Sequence, residues 1–304
     1  MTDDSGLLAV LQRFMESRPL CVMARCIMGY VLSSKIDEVF QECRQRQYEA
    51  ELKFSVLAAS IGDVAMKFCD NFHQAYGTHH KDLQVSAPAF YGKLNRVETP
   101  VAEGIVDFSA QKSRELLDEI GAGNRLVLKG YKCSTIDGNH LQKTEKRIGE
   151  LRGLCAAALP GTAVAKFNLH NQLFERAYLL ADAHAQESSV LDRVVADLEH
   201  KELLIADRHF CIVNFMRRVA ERRSCFLIRQ HGRLKGQLLG TRKQIGRIPS
   251  GMVYEQAMQI TDGDQTLTIR RITLELDQPT RDGDLQIHIL SNVPSKDATA
   301  CELA

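Results

Sequence analysis

The chain has 304 residues, and its 39 Lys+Arg against 38 Asp+Glu leave a net charge of +1. That length suits two domains at about 150 residues each. With 44% hydrophobic and 25% charged residues, the composition excludes a disordered chain, a collagen-like chain and a disulfide-dense miniprotein. Net charge alone points to no nucleic-acid partner. The nine cysteines include no CxxC pair, the nearest two being Cys21 and Cys26. They read as reduced thiols of a cytoplasmic protein, many of them small core hydrophobes. The acidic start, Met-Thr-Asp-Asp, lacks the basic region of a secretory signal. No apolar run reaches the about 18 residues of a membrane span.

Residues 1 to about 124 read as helical. Apolar positions recur at helical spacing through Leu7, Leu8, Leu11 and Phe14, and again through Val39, Phe40 and Cys43. Ser33, Ser34 and Asp37 offer N-cap chemistry for a helix over 38–51. A further helix spans about 50–69. The segment 73–88 holds Gly77, His79, His80 and Pro88 and reads as a loop. Thr99-Pro100 opens a helix to about Ile120, and Gly121 and Gly123 stop it.

The pattern changes after Asn124. Alternating β-formers over 125–136 predict a strand that ends at the turn pair Asp137-Gly138. The segment 144–154 reads as a short helix or loop, and Pro160-Gly161 as a turn. Two strands, 162–168 and 172–180, form a hairpin around Asn171. An amphipathic helix over 188–200 carries Val190, Leu191, Val194, Val195 and Leu198 on one side. The short run Leu203-Leu204-Ile205-Ala206 is a buried strand ending at Asp207. A helix over 209–222 and a strand over 225–228 follow. From 230 to 293, turn pairs (His231-Gly232, Asp262-Gly263, Asp282-Gly283) separate alternating strands, an all-β segment.

The order over 126–228, β-β-β-α-β-α-β, is that of an RNase H-like domain. In such a domain, parallel neighbours bring the ends carrying Asp137 and Asp207 together. Carboxylates so placed hold Mg²⁺ (or Mn²⁺), which favours oxygen ligands. Two such ions about 3.5–4 Å apart activate a water or 3′-hydroxyl and stabilise the leaving oxygen of a phosphodiester. Taken singly, each aspartate has a plainer reading. Asp-Gly after a strand is usually a turn, and Asp207 before a helix is an N-cap. The element order favours the chemical reading.

Three blocks carry a family resemblance. They are residues 131–140 (Tyr-Lys-Cys-Ser-Thr-Ile-Asp-Gly-Asn-His), with Ala-Leu-Pro-Gly at 158–161; 203–211 (Leu-Leu-Ile-Ala-Asp-Arg-His-Phe-Cys); and 226–232 (Phe-Leu-Ile-Arg-Gln-His-Gly). Over roughly 125–304 the chain resembles bacterial insertion-sequence transposases of the IS4 type. The resemblance implies an α/β RNase H-like catalytic domain of the DDE class with an all-β insertion, preceded by an all-α N-terminal domain. It divides the chain into a helical, transposon-end-binding part (1–124), a first catalytic part (125–229), the insertion (230–293) and the start of a returning catalytic segment (294–304). Asp137 matches the first acid and Asp207 the second. The family's third acid is a glutamate in a Tyr-x-x-Arg-x-x-x-Glu pattern after the insertion, which this sequence lacks. Glu302 comes too early for it, and Glu275 falls in an insertion strand. The expectation is a chain truncated before its last catalytic block, with little strand-transfer activity of its own. There is also no Trp to stack on a base. Partners implied are DNA, as terminal inverted repeats and target, and a second copy in a homodimer. No membrane partner is implied.

The near-zero net charge hides an asymmetry. Residues 208–247 hold eleven Lys/Arg and one acid, Glu221, whereas 248–304 hold four basic residues and nine acids. A basic block beside Asp207 suits a phosphate backbone, although charge runs also make plain solvated faces. Arg208, beside the second acid, and Arg229, Arg233 and Lys235, at the entry to the insertion, are the candidate DNA contacts. The histidines lack ligand spacing, Gly121-Ala122-Gly123 is a helix stop, and no phosphate-binding Gly-Lys-Ser/Thr loop occurs. Three functions stay open: a metal-dependent transposase, a non-catalytic DNA-binding or dimer-poisoning fragment, and another RNase H-like nuclease or decayed remnant.

Overall fold

The computed structural model describes residues 24, 26–29, 35–47, 52–83, 85–122, 125–140, 161–180 and 187–304. The expected helix around Leu7–Phe14, the caps Ser33 and Ser34, the segment 144–154 and most of 158–161 lie outside the described residues. The chain divides into two compact units, Met1–Glu115 with Arg147–Leu159, and Leu116–Lys146 with Pro160–Ala304. No described helix is long and apolar enough to cross a membrane.

The described part of the first unit is helical: α1 (Ile36–Cys43), α2 (Phe54–Ala65), α3 (Phe72–Leu83), α4 (Ala87–Leu94) and most of α5 (Thr99–Glu119). Its core gathers Ile36, Phe40, Phe54, Leu57, Tyr76, Phe90 and Val101. Phe40 and Phe54 stack at 4.8 Å. Asp37 does not cap its own helix. Its carboxylate accepts Ser55 N–H at 2.7 Å and Ser55 O–H at 2.8 Å, so it serves the open first turn of α2.

The segment 73–88 is not a loop, as its Gly and Pro suggest, but nearly all of α3 and the start of α4. Asn71 accepts Gln74 N–H at 2.9 Å and starts α3. Tyr76 is buried and donates to Val85 O, which repays the about 1 kcal/mol that Gly77 costs a helix interior. Pro88 sits in the first turn of α4 behind the cap Ser86, where a missing N–H does no harm. His79 Nε2 meets Asp63 Oδ2 of α2 at 2.7 Å.

The second unit is built on one nine-stranded sheet. Its strands are β1 (Lys132–His140), β2 (Thr162–Asn168), β3 (Leu173–Leu180), β4 (Glu202–Ala206), β5 (Cys225–Arg229), β6 (Gln237–Ile248), β7 (Gly251–Asp262), β8 (Gln265–Leu276) and β9 (Gln286–Ser291). The spatial order is β3-β2-β1-β4-β5-β9-β8-β7-β6. β1, β4 and β5 are parallel neighbours, and every other pair is antiparallel. The strands of 237–291 therefore extend the same sheet, because β9 returns to pair with β5.

Alternation splits the sheet into two cores. One face packs Ile136, Val164, Leu204, Phe226 and Ile228 under α6 (Leu191–Ala196) and α7 (Val213–Glu221). Phe215, Met216 and Val219 make the buried stripe of α7, each worth about 1.5–3 kcal/mol in transfer. The other face packs Cys133, Leu203, Cys225, Val253, Ile272 and Leu274 against Val293, Ala298, Ala300 and Leu303, the last two on α8 (Ala300–Leu303). The short helix α6 follows a 3₁₀ turn at Glu187–Val190, so the expected helix over 188–200 is broken into shorter pieces. Gly251 opens β7 with φ +155, where a Cβ would stand 1.9 Å from Glu275 O. The close strand approach there requires glycine.

The inner sheet hides an ion pair. Lys166 on β2 and Glu202 on β4 are 2% and 0% exposed, with Nζ 2.7 Å from Oε1. Glu202 Oε1 has no hydrogen-bond partner, so the contact is an ionic tie. Because β1 lies between β2 and β4, that tie spans the strand carrying Asp137.

Candidate active site

Asp137 and Asp207 come together through register. The parallel ladder of β1 and β4 ends at Ile136 paired with Ala206, so each aspartate is the next residue out. Extending the ladder by one step places them about one strand spacing apart, ~4.8 Å. They share a face as well as an end. Cys133, Thr135 and Asp137 alternate on β1, while Leu203, Ile205 and Asp207 alternate on β4, with Cys133 and Leu203 in one core. Asp207 is itself extended, with φ −77 and ψ −177, so the alternation reaches it. The carboxyl ends of parallel strands are where open α/β sheets bind ligands.

Asp137 is not at a turn. β1 runs on to His140, and Asp137 and Gly138 pair with Ala165 and Val164 of β2. The aspartate is thus held in a ladder on one side and open on the other, where β4 has ended. Its Oδ1 accepts Gly138 N–H at 2.9 Å. Asp207 is the N-cap of a 3₁₀ turn over Arg208–Phe210. Its Oδ1 accepts His209 N–H at 2.9 Å, and its Oδ2 lies 2.8 Å from His209 Nδ1. The plain capping reading of Asp207 and the chemical one therefore coexist, since Oδ1 caps while Oδ2, beside His209 Nδ1, belongs to a carboxylate still 44% exposed. His209 was legible only as the seventh residue of the second block; nothing local marks it as a partner of Asp207.

The donor set suits a hard cation in part. Two partly exposed carboxylates with room for water are acceptable to Mg²⁺ or Mn²⁺, which keep several waters. Among the described residues, however, no group of three or more His, Cys, Asp or Glu is gathered as a metal site. Glu302 does not join the aspartates. It closes a capping box with Thr299, accepting Thr299 N–H at 2.7 Å, which holds its carboxyl below the usual range. Glu275 is tied to Arg242 at 2.6 Å.

The candidate DNA contacts separate into two kinds. Arg208 is exposed beside Asp207, and Arg233 and Lys235 are exposed on the segment between β5 and β6. Arg229 is paired, its Nη2 lying 2.8 Å from Asp284 Oδ2. Much of the remaining basic block is also partnered. Arg217 meets Asp262, Arg218 meets Asp192, Arg247 meets Asp277, and Arg222 donates to Val195 O and Ala196 O at the end of α6. Cys211 and Cys225 are buried, and burial raises both thiols. All seven described cysteines are unbridged.

No family model matches the chain, and no curated protein matches it. Among solved structures the chain is similar to one in a piggyBac transposase synaptic complex with hairpin DNA, at 10% identity and a TM-score of 0.36. The match covers 90% of this chain and 54% of that one, so this chain spans about half the length of the piggyBac transposase. A likeness of that size carries nothing further.

Proposed function

We propose that the chain is a DDE-class, transposase-like protein of the IS4 type, with an RNase H-like core that acts on DNA phosphodiesters through Asp137 and Asp207. The observation that carries this reading is the β1–β4 register, whose ladder ends one residue before an aspartate on each strand. The strand order β3-β2-β1-β4-β5 around it and the three sequence blocks support it. In this reading the helical region 1–124 engages transposon ends, 125–229 supplies the aspartates, 230–293 is the insertion and 294–304 begins the return. The same resemblance suggests a bacterial cytoplasmic setting and a homodimer on DNA.

Asp137 and Asp207 would hold Mg²⁺ or Mn²⁺. Such an ion, when bound, supplies Lewis acidity and lowers the pKa of an attacking water or 3′-hydroxyl. The chain's own groups prepare that site. The Gly138 and His209 amides fix Oδ1 of each carboxylate; Oδ2 of Asp137 would face a ligand, and Oδ2 of Asp207 would be shared with His209 Nδ1. Arg208, Arg233 and Lys235 offer cations to the backbone phosphates around it. Contacts of that kind hold the duplex in place and do not read sequence.

A second reading, DNA binding without catalysis, is favoured by one observation: the described residues gather two carboxylates and no third. Binding and cleavage of duplexes ending in the element's terminal repeats, with Mg²⁺ or Mn²⁺, separate the two. Cleavage that Asp137→Asn and Asp207→Asn both remove supports the enzyme. Tight binding without cleavage supports the binder. A chain that neither binds nor cleaves such DNA contradicts both.

A further inference from the structure

A cationic patch on the outer half of the sheet lies apart from the carboxylate pair. Along β8 the residues alternate. Ile272 and Leu274 enter the core, so Arg271, Thr273 and Glu275 fall on the opposite face. The ladders place Tyr254 of β7 and His288 of β9 on either side of Thr273, and Gln256 beside Arg271. With ~4.8 Å between strands, one small ligand can touch several of these side chains.

Arg271 is the unusual member. Its guanidinium is half-buried, and its one side-chain hydrogen bond runs from Nε to Gln230 Oε1, a neutral amide, at 2.7 Å. Among the described residues no carboxylate pairs with it. Its neighbours add no negative charge on balance. Arg242 lies over the Tyr254 ring at 3.7 Å and spends its own charge on Glu275. His288 Nδ1 meets Thr273 Oγ1 at 3.0 Å. Burial first, then the Arg271 and Arg242 charges, push the His288 imidazole down to about 4. It is therefore neutral near pH 7. Burial and the Arg242 charge also lower Arg271, yet a guanidinium stays protonated in proteins. An uncompensated cation partly stripped of water carries part of the desolvation cost of a buried charge, and an anion relieves it. The fork geometry of arginine, a hydroxyl and amide side chains together suit a phosphate group.

We propose that Arg271, with Arg242, Thr273, Gln230 and His288, forms a phosphate-binding patch on the outer sheet that takes a backbone phosphodiester of DNA. The choice of DNA rests on the function proposed above. Three strand spacings separate β8 from β4 in the sheet order, roughly 14 Å. The patch is thus a second phosphate contact and not part of the aspartate site. Gln230 joins it to the segment carrying Arg233 and Lys235.

The test uses the full chain and two probes, inorganic phosphate and labelled duplexes of unrelated sequence. The His288 imidazole is followed by NMR against pH, and duplex affinity is followed against salt. The wild type is expected to show an upward shift of the His288 midpoint with either probe. Arg271→Gln is expected to abolish the phosphate-induced shift, weaken every duplex alike and lower the salt slope by about one. The His288 titration of the wild type needs no variant, so a folding defect in Arg271→Gln does not decide the matter. A wild-type His288 midpoint that neither probe moves overturns the patch. Duplex binding that Arg271→Gln leaves unchanged in affinity and salt slope also overturns it, with the DNA reading intact. Phosphate moving His288 while no duplex binds overturns DNA as the occupant, and the DNA reading with it.

Discussion

The inner and outer halves of the sheet handle charge in opposite ways. In β3-β2-β1-β4 the ion pair Lys166–Glu202 is nearly sealed, at 2% and 0% exposure, while the aspartates stand just past the end of the β1–β4 ladder. In β9-β8-β7-β6 no ion pair is sealed to that degree: Arg270 and Glu255 are 12% and 22% exposed, Arg247 and Asp277 58% and 46%, and Arg271, with no carboxylate partner among the described residues, sits across the strands. The inner half thus carries its candidate chemistry at the end of a parallel ladder, where residue type shows it. The outer half carries it on a face, where only register assembles it. The contrast also separates structural from functional charge. A sealed pair fixes register, whereas an unpaired or end-placed group is free to meet a ligand.

If that contrast holds, charge deletions rank by depth. Lys166→Met leaves Glu202 buried without its counter-ion and should cost about 3–5 kcal/mol in urea unfolding. Adding Glu202→Leu should recover much of the loss, and a double variant as unstable as the single would break the register account. Next comes Arg270→Gln. Arg270 is bidentate to Glu255 and also donates to Val293 O and Ala298 O at 2.9 Å. Its loss should cost about 1.5–3 kcal/mol and loosen 293–304 first in hydrogen exchange. Arg247→Gln, at the exposed end of the scale, should stay within about 0.5 kcal/mol. An Arg247 effect as large as that of Lys166 would erase the distinction between the halves.

His288 adds a pH test confined to the outer half. Its folded pKa, about 4, lies below the ordinary 6.5, so between those values the unfolded chain binds more protons. Stability should therefore fall as pH drops from about 6.5 towards 4. His288→Asn should flatten that part of the acid limb in thermal melts. An unchanged limb would mean that the imidazole is not desolvated on β9.

Much of the inner half was legible because its signals are local. The apolar run 203–206 marks a buried strand, and the hairpin 162–180 shows its alternation. Asp137 and Asp207 stand out as acids beside such strands. Their juxtaposition was only an expectation from element order, because parallel pairing joins residues 70 positions apart. Asp137-Gly138 carried a turn signal that the extended β2 ladder overrides. The segment 73–88 carried loop residues that the Tyr76 core contact and the Asn71 and Ser86 caps turn into helices. The basic block looked uniform in sequence, yet Arg229, Arg217 and Arg247 meet acids 30 to 55 positions away. Arg271 gave no signal at all, since its meaning depends on which strands flank β8.

In the proposed function Asp137 and Asp207 act as one site. Mn²⁺ binding to the full chain, measured by electron paramagnetic resonance for the wild type, Asp137→Asn, Asp207→Asn and the double variant, tests that directly. A shared site predicts that each single change removes the bound Mn²⁺ and that the double variant loses nothing more. Mn²⁺ binding that survives Asp137→Asn, or losses that simply add in the double variant, would contradict it.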